Sequence, residues 1–389
     1  MRVAVAALVL TGITSVTGCQ RDRTKDPART GPTSSFETVL DTVVPAALAR
    51  TVASGLVIAL VEDGRITLTK GYGLADKASR RPMTDSTPIG VASVSKLVTS
   101  WGLLRMAANG QLPLDRPIDS LTKRWHLPVS NFDRNGVTVR RLLSHTAGLS
   151  MFSVPCVPAD SARPSLVDVL GGKAGDRGKV ELTAAPGAAW RYSGGGFTLL
   201  QLAAEDVMAR PFAAVMRESV FGPLGMNHTF YGVPHGDEAT GYDDAGKPVA
   251  AFHCVGEAAA GLVTTARDMA RLLAEYRRVK QDSSAILPAR WLDSLATPIA
   301  KAAMTVDGKS IDLGDTQMGL GHFIHVSRTG HRILFHSGGN PGVAAYLLID
   351  IDAGNGLFMA VNSDGAGDVL RAIVSAWGRW ARTDPPHLF

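Results

Sequence analysis

Ile89-Gly90-Val91-Ala92-Ser93-Val94-Ser95-Lys96-Leu97-Val98-Thr99-Ser100-Trp101-Gly102-Leu103-Leu104 carries a Ser-x-x-Lys tetrad, Ser93 to Lys96, at the head of an apolar run. From Val94 to Asn109 the only charged side chains are Lys96 and Arg105. A helix that apolar belongs inside a large core. Positions three apart share a helix face, so Ser93 and Lys96 stand one turn apart on it. Burial disfavours the charged form of a lysine, and a neutral amine can take a proton from a neighbouring hydroxyl. The tetrad alone is a weak signal, expected by chance roughly once in a few hundred residues. Indeed the chain holds a second one, Ser120-Leu121-Thr122-Lys123. That copy follows the Pro-punctuated Leu112-Pro113-Leu114-Asp115-Arg116-Pro117 with no apolar helix behind it, and reads as a solvated turn.

At 389 residues the chain can bury a substantial core, as one large domain or two. Apolar residues make up 45% and charged ones 19%, the balance of a globular protein. The net charge of +5 is dispersed, with no basic run longer than Arg140-Arg141, so nucleic acid is not an expected partner.

Met1-Arg2 gives a basic start, and Val3 to Thr17 is apolar or small throughout. This stretch is too short for a spanning helix and fits a secretory signal. It ends Val16-Thr17-Gly18-Cys19, which resembles the lipobox of bacterial lipoproteins. That resemblance implies a signal peptide over 1–18, lipidation of Cys19, and a cell-envelope lipoprotein on the periplasmic or extracellular face of a bacterial membrane. An ordinary signal peptide with an incidental Cys19 is the alternative. Residues 19–35, polar and with Pro27, Gly31 and Pro32, read as a disordered tether ahead of one domain over 36–382. Cys156 and Cys254 remain. Outside the cytoplasm they can form a disulfide, or both can be free buried thiols.

Phe36 to Arg50 has helical spacing. Gly55–Val61 and Arg65–Tyr72 flank Glu62-Asp63-Gly64 and predict a hairpin. Asn109-Gly110 closes the Ser93 helix. Helical periodicity recurs over 194–209, 211–221 and 266–277, and late strands are expected at 321–326, 332–336, 343–349 and 357–361, then a helix at 369–380. The simplest arrangement is an α+β fold. One antiparallel sheet joins the late strands to the early hairpin, the N- and C-terminal helices flank it, and the helical insert forms a second lobe. Ser93 then falls where the lobes meet.

Two more stretches invite chemistry. Trp190-Arg191-Tyr192-Ser193-Gly194-Gly195-Gly196 sets a tyrosine before glycines that open a helix, whose N-terminus favours an anionic phenol. Phe335-His336-Ser337-Gly338-Gly339-Asn340 ends a strand in glycines, where backbone N–H groups can serve as oxyanion donors. Each also has a structural reading, as a packing glycine loop with a core tyrosine and as a strand end with a hydrogen-bonded histidine.

Taken together and in this order, the three stretches resemble the serine β-lactamase/penicillin-binding-protein superfamily. Within it they are similar to the class C-like branch that includes family VIII esterases and D-alanyl-D-alanine carboxypeptidases. Ser93 and Lys96 match its Ser-x-x-Lys, Tyr192 the tyrosine of its Tyr-x-Asn, and His336-Ser337-Gly338 its Lys-Thr-Gly or His-x-Gly. Leu142–Leu149, Pro223–Met226 and Ala260–Asp268 also look familial, and the resemblance covers about residues 36 to 380. It implies a β-lactamase/transpeptidase-like fold and a Ser93 acyl-enzyme, with Lys96 and Tyr192 as acid and base. It also implies an oxyanion hole from the N–H groups of Ser93 and Gly339, His336, Ser337, Gly338 and Gly194 on the substrate side, and no metal or cofactor.

Two departures bear on substrate. Gly194 replaces the motif asparagine, and His336 stands where β-lactamases usually carry lysine. Both point toward hydrolysis of esters or amides of small acyl groups. A D-alanyl carboxypeptidase, a β-lactamase and a silent peptidoglycan- or partner-binding scaffold are the alternatives. His145 reads as a satisfied structural residue. His322 and His325, three apart in a strand, point to opposite faces and make no ligand pair. No Gly-x-Ser-x-Gly and no His-Glu-x-x-His occurs.

Overall fold

The strand Gly55–Glu62 shows how the sheet is buried. Leu56, Ile58 and Leu60 belong to one apolar cluster and Val57, Ala59 and Val61 to another. A period of two with both faces apolar means a central strand covered on each side. The computed structural model describes residues 35–174, 177–306, 309–311 and 313–386. The readings made over residues 1–34, Cys19 included, lie outside them.

Among the described residues one nine-stranded antiparallel sheet runs in the order Arg81–Pro82, Arg65–Asp76, Gly55–Glu62, Asn355–Val361, Val343–Asp350, Arg332–Asn340, Phe323–Val326, Gln317–Met318 and Ala300–Lys301. The early hairpin turns at Asp63 and Gly64, with φ of 47° and 76°. Two successive positive φ values make the type I′ turn that matches strand twist. The first strand then pairs with the last, Leu56 opposite Val361 and Leu60 opposite Leu357. This is the α+β sheet expected from the sequence.

The terminal helices Phe36–Leu48 and Gly367–Ala381 cover one face, burying Phe36, Leu40 and Val44 beside Val369, Ile373 and Trp377. The other face carries Ala266–Gln281 and, beyond it, the helical lobe with Val94–Ala108 and Gly194–Met208. In the Val94–Ala108 helix nearly every side chain is buried, Trp101 among them, and its indole N–H donates to Tyr276 Oη at 2.9 Å. Burying one such aromatic contributes roughly 2–3 kcal/mol, so this helix is fixed from all sides.

Two strands run well past their expected ends, the one expected at 65–72 reaching Asp76 and the one expected at 332–336 reaching Asn340, and the second bears on the site. Arg332–His336 continues as Arg332–Asn340, pairing Ser337 with Tyr346 and Gly339 with Ala344 before turning at Pro341-Gly342. Glycines disfavour a strand locally, but here the extension is docked. A Cβ on Gly338 would lie 2.3 Å from Val91 O and 2.9 Å from Ser93 N, so only glycine lets the strand reach the start of the Ser93 helix.

Candidate active site

Ser93 is the N-cap residue of Val94–Ala108, at φ −67° and ψ −10°. The residue before it, Ala92, holds φ 45°, a conformation rare for a side chain with a Cβ and found where the surroundings impose it. Those surroundings are visible. Val91 N–H donates to Leu262 O at 3.1 Å. Ser95 Oγ donates to Ala92 O at 2.5 Å and accepts from Leu262 N–H at 3.0 Å. Ser95 is therefore a supporting residue that the sequence did not single out; its signal is a small polar side chain in an otherwise apolar run.

Lys96 is 2% exposed, and its Nζ lies 3.1 Å from Ser93 Oγ. It donates to Ala259 O at 2.7 Å and sits 4.8 Å from the centre of the Tyr192 ring and 5.6 Å from that of Phe197. No carboxylate pairs with it among the described residues. Burial draws its pKa down to about 7, so near neutrality a large fraction is the free amine.

Tyr192 is buried against Lys96, with Ser93 close enough to act on its phenol. Burial pushes its phenol above the ordinary value. This corrects the expectation of an anion favoured by the helix N-terminus. Ser193 Oγ already caps that helix, accepting from Gly196 N–H at 2.9 Å, and the desolvation of a phenolate outweighs what remains. The structure thus brings Ser93, Lys96 and Tyr192 together, with lysine as the group poised to accept a proton.

The substrate-side residues fall differently. His336 is 1% exposed and packs against Phe323 and Tyr192, ring centres 5.1 and 6.4 Å away. Its Nδ1–H donates to Ser337 O at 2.6 Å, and burial takes its pKa down to about 3. It is a neutral ring behind the tyrosine, not a group opening onto substrate as expected, because the strand turns it inward between two aromatic side chains. Ser337 lines another cavity of about 210 Å³, bounded by Leu370 and Arg371 of the C-terminal helix. Gly338 lies against Ser93 N, and the exposed Gly339 follows it along the same edge.

Gly194 does not face substrate either. It is buried, its N–H donates to Phe152 O at 2.9 Å, and a Cβ there would stand 2.9 Å from that same oxygen and 3.2 Å from Val154. The segment around Phe152 occupies the space an asparagine would need. Cys156 and Cys254, left open by the sequence, are joined by a disulfide between the paired strands Cys156–Pro158 and Phe252–Cys254. The bridge ties the Phe152 segment to the one that runs on to Ala259.

Two hollows adjoin these residues. One, of about 420 Å³, is lined by Met151, Phe152, Trp190 and Tyr192. The other, of about 360 Å³, is walled by Ile89, Gly90, Ala260, Leu262 and Asn340, with no lysine or arginine. His322 is buried in a hydrogen bond with Tyr276 Oη, while His325 reaches Asp384 O, so the two have separate partners. Among the described residues one exposed group, His235, Asp237 and Glu238, gathers potential metal-ligating atoms within 4.8 Å. Its Glu238 oxygens already accept the N–H groups of His235 and Gly236.

A family profile described as Beta-lactamase matches residues 40–376. Esterase EstB of Burkholderia gladioli is 29% identical over 200 residues, 50% of this chain and 51% of its own length. A β-lactamase of Pseudomonas fluorescens is 30% identical over 216 residues, 54% of this chain and 56% of its own. The chain thus spans about half the length of these curated relatives. In fold it is similar to the β-lactamase/D-alanine carboxypeptidase of Pseudomonas syringae, with a TM-score of 0.69 at 21% identity, covering 91% of this chain and all of that one. With the sheet, the helix-borne Ser93–Lys96 pair and the match over most of its length, the chain belongs to the β-lactamase family of serine hydrolases.

Proposed function

We propose that this chain hydrolyses esters or amides of small, uncharged acyl groups through an acyl-enzyme on Ser93. The observation that carries the reading is Lys96 Nζ at 3.1 Å from Ser93 Oγ in a site that holds no counter-charge among the described residues and keeps much of the amine neutral. Ser93 Oγ attacks the substrate carbonyl as its proton passes to Lys96. The oxygen that becomes negative is met by the backbone N–H of Ser93 and that of Gly339. The proton then passes, by way of the Tyr192 hydroxyl, to the departing alcohol or amine. Water enters and the same groups run in reverse to free the acid.

The neutral His336 and the filled space beside Gly194 support esters over β-lactams. The first leaves no cation for a β-lactam carboxylate, and the second leaves no side-chain amide for its acyl carbonyl. The cavity of about 360 Å³ beside Asn340, lined by no lysine or arginine, supports a substrate that brings no carboxylate to be paired. We further propose export and lipid anchoring at Cys19. The Cys156–Cys254 bridge supports an oxidising compartment, and Gly18-Cys19 the anchor.

The test is hydrolysis of a short-chain p-nitrophenyl ester by the chain from Gln20 onward. Wild type is expected to release p-nitrophenol and Ser93→Ala to release none above background. Equal rates in both would remove Ser93 from the mechanism.

A further inference from the structure

His145 brackets Tyr192. Its carbonyl oxygen accepts Arg191 N–H at 2.8 Å, and its ring Nδ1 accepts Ser193 N–H at 3.1 Å. One residue thus holds the backbone on both sides of the tyrosine. Its ring also packs on the phenol ring, centres 4.4 Å apart and planes 33° apart, with Phe197 behind at 5.2 Å. His145 is 2% exposed and has φ 56°, a left-handed conformation imposed by its context.

The bonding also assigns the tautomer. Nδ1 accepts, so the ring proton is on Nε2, which is buried and makes no hydrogen bond. A histidine kept only for its polar bonds would not leave one nitrogen buried and idle, since such a group costs stability. What this residue supplies is an acceptor and a flat face at one place.

We propose that His145 is a positioning residue for Tyr192, a two-acceptor clamp that keeps the phenol on Ser93 without itself touching the reacting atoms. Lys96, Tyr192 and His336 are the titratable groups around it, and burial first, with Lys96 and His336 adding to it, holds its pKa well below the ordinary value. The inference rests on the Ser93 acyl-enzyme reading above.

The test compares two substitutions that both tolerate a positive φ. Asparagine keeps a side-chain oxygen close to where Nδ1 stands, and glycine keeps only the main-chain carbonyl. Ester turnover is measured per competent site, counted from the burst of p-nitrophenol, beside the thermal midpoint. His145→Gly is expected to lower kcat by about 10- to 100-fold with KM nearly unchanged, as a small displacement of a proton-transfer group does. His145→Asn is expected to recover most of that loss. Where the glycine variant does not fold, His145→Gln, with its oxygen one bond farther out, takes its place and is expected to stay slow. Equal turnover per site in the Asn variant and its comparator overturns the clamp. So does a loss confined to the number of competent sites. Failure of the underlying reading is separately visible, because Ser93→Ala would then run as fast as wild type.

Discussion

The chain writes Ser-x-x-Lys twice, and the two copies have opposite fates. At Ser93 the tetrad opens a buried helix, and the lysine folds back on the serine within a lining of Tyr192, Phe197 and a carbonyl. At Ser120 it closes a single 3-10 turn, Ile118–Ser120. Ser120 Oγ there donates to Pro117 O at 2.7 Å, Lys123 N–H donates to Asp206, and both side chains stand in solvent. The residues are the same and the spacing is the same. The difference is water: only where the amine is stripped of it does lysine turn from a solubilising charge into a base.

Ser93→Ala is the largest expected break in that comparison. Turnover should fall by roughly 10,000-fold or more, the usual cost of losing a nucleophile, while Ser120→Ala leaves it unchanged.

Lys96→Met should cost roughly 100- to 10,000-fold in kcat/KM, as removal of a general base does. In wild type, kcat/KM should rise with pH through about 7 as Lys96 loses its proton, then level off. The same residue makes a stability prediction of definite sign. Its folded pKa, about 7, is below the unfolded value of 10.5, so the unfolded chain binds more protons between them and stability rises with pH across that window. Lys96→Met should therefore melt higher than wild type at pH 6, with the gap closing toward pH 10. A gap constant with pH would show that burial is not what tunes this lysine.

Gly338→Ala probes the docking that makes the first copy special. Its Cβ would collide with Val91 O, a backbone atom that cannot swing aside, and the cost should be about 1–3 kcal/mol of stability with a further fall in kcat. Lys123→Ala is the smallest case, with no change in rate or melting expected.

The Ser93–Lys96 pair was legible because helical spacing and an apolar run are both local properties of sequence. The sheet was legible for a related reason: its central strands are buried on both faces and bounded by turns. Tyr192 was found through the order of the motifs, since nothing around it announces contact with a serine a hundred residues earlier. What was not legible is everything set by three-dimensional approach. Ser95 as a brace, the carbonyl of Ala259 and the Phe152 segment filling the space beside Gly194 have no local signature. Nor could sequence tell that the His336 strand would run on through two glycines, or that its ring would turn inward.

The antiparallel seam between Gly55–Glu62 and Asn355–Val361 has a consequence in time. Its two edges are separated by some three hundred residues, so the centre of the sheet is among the last things that can close. Until Asn355–Val361 arrives, the first strand lacks one of its two hydrogen-bonded neighbours and remains an apolar edge in search of a partner. Ser93 and Lys96, although early in the chain, have to wait for Gly338 and Gly339 before the corner around them exists. The candidate site is then a late acquisition in the life of the polypeptide, complete only after its C-terminal strands have been made and paired.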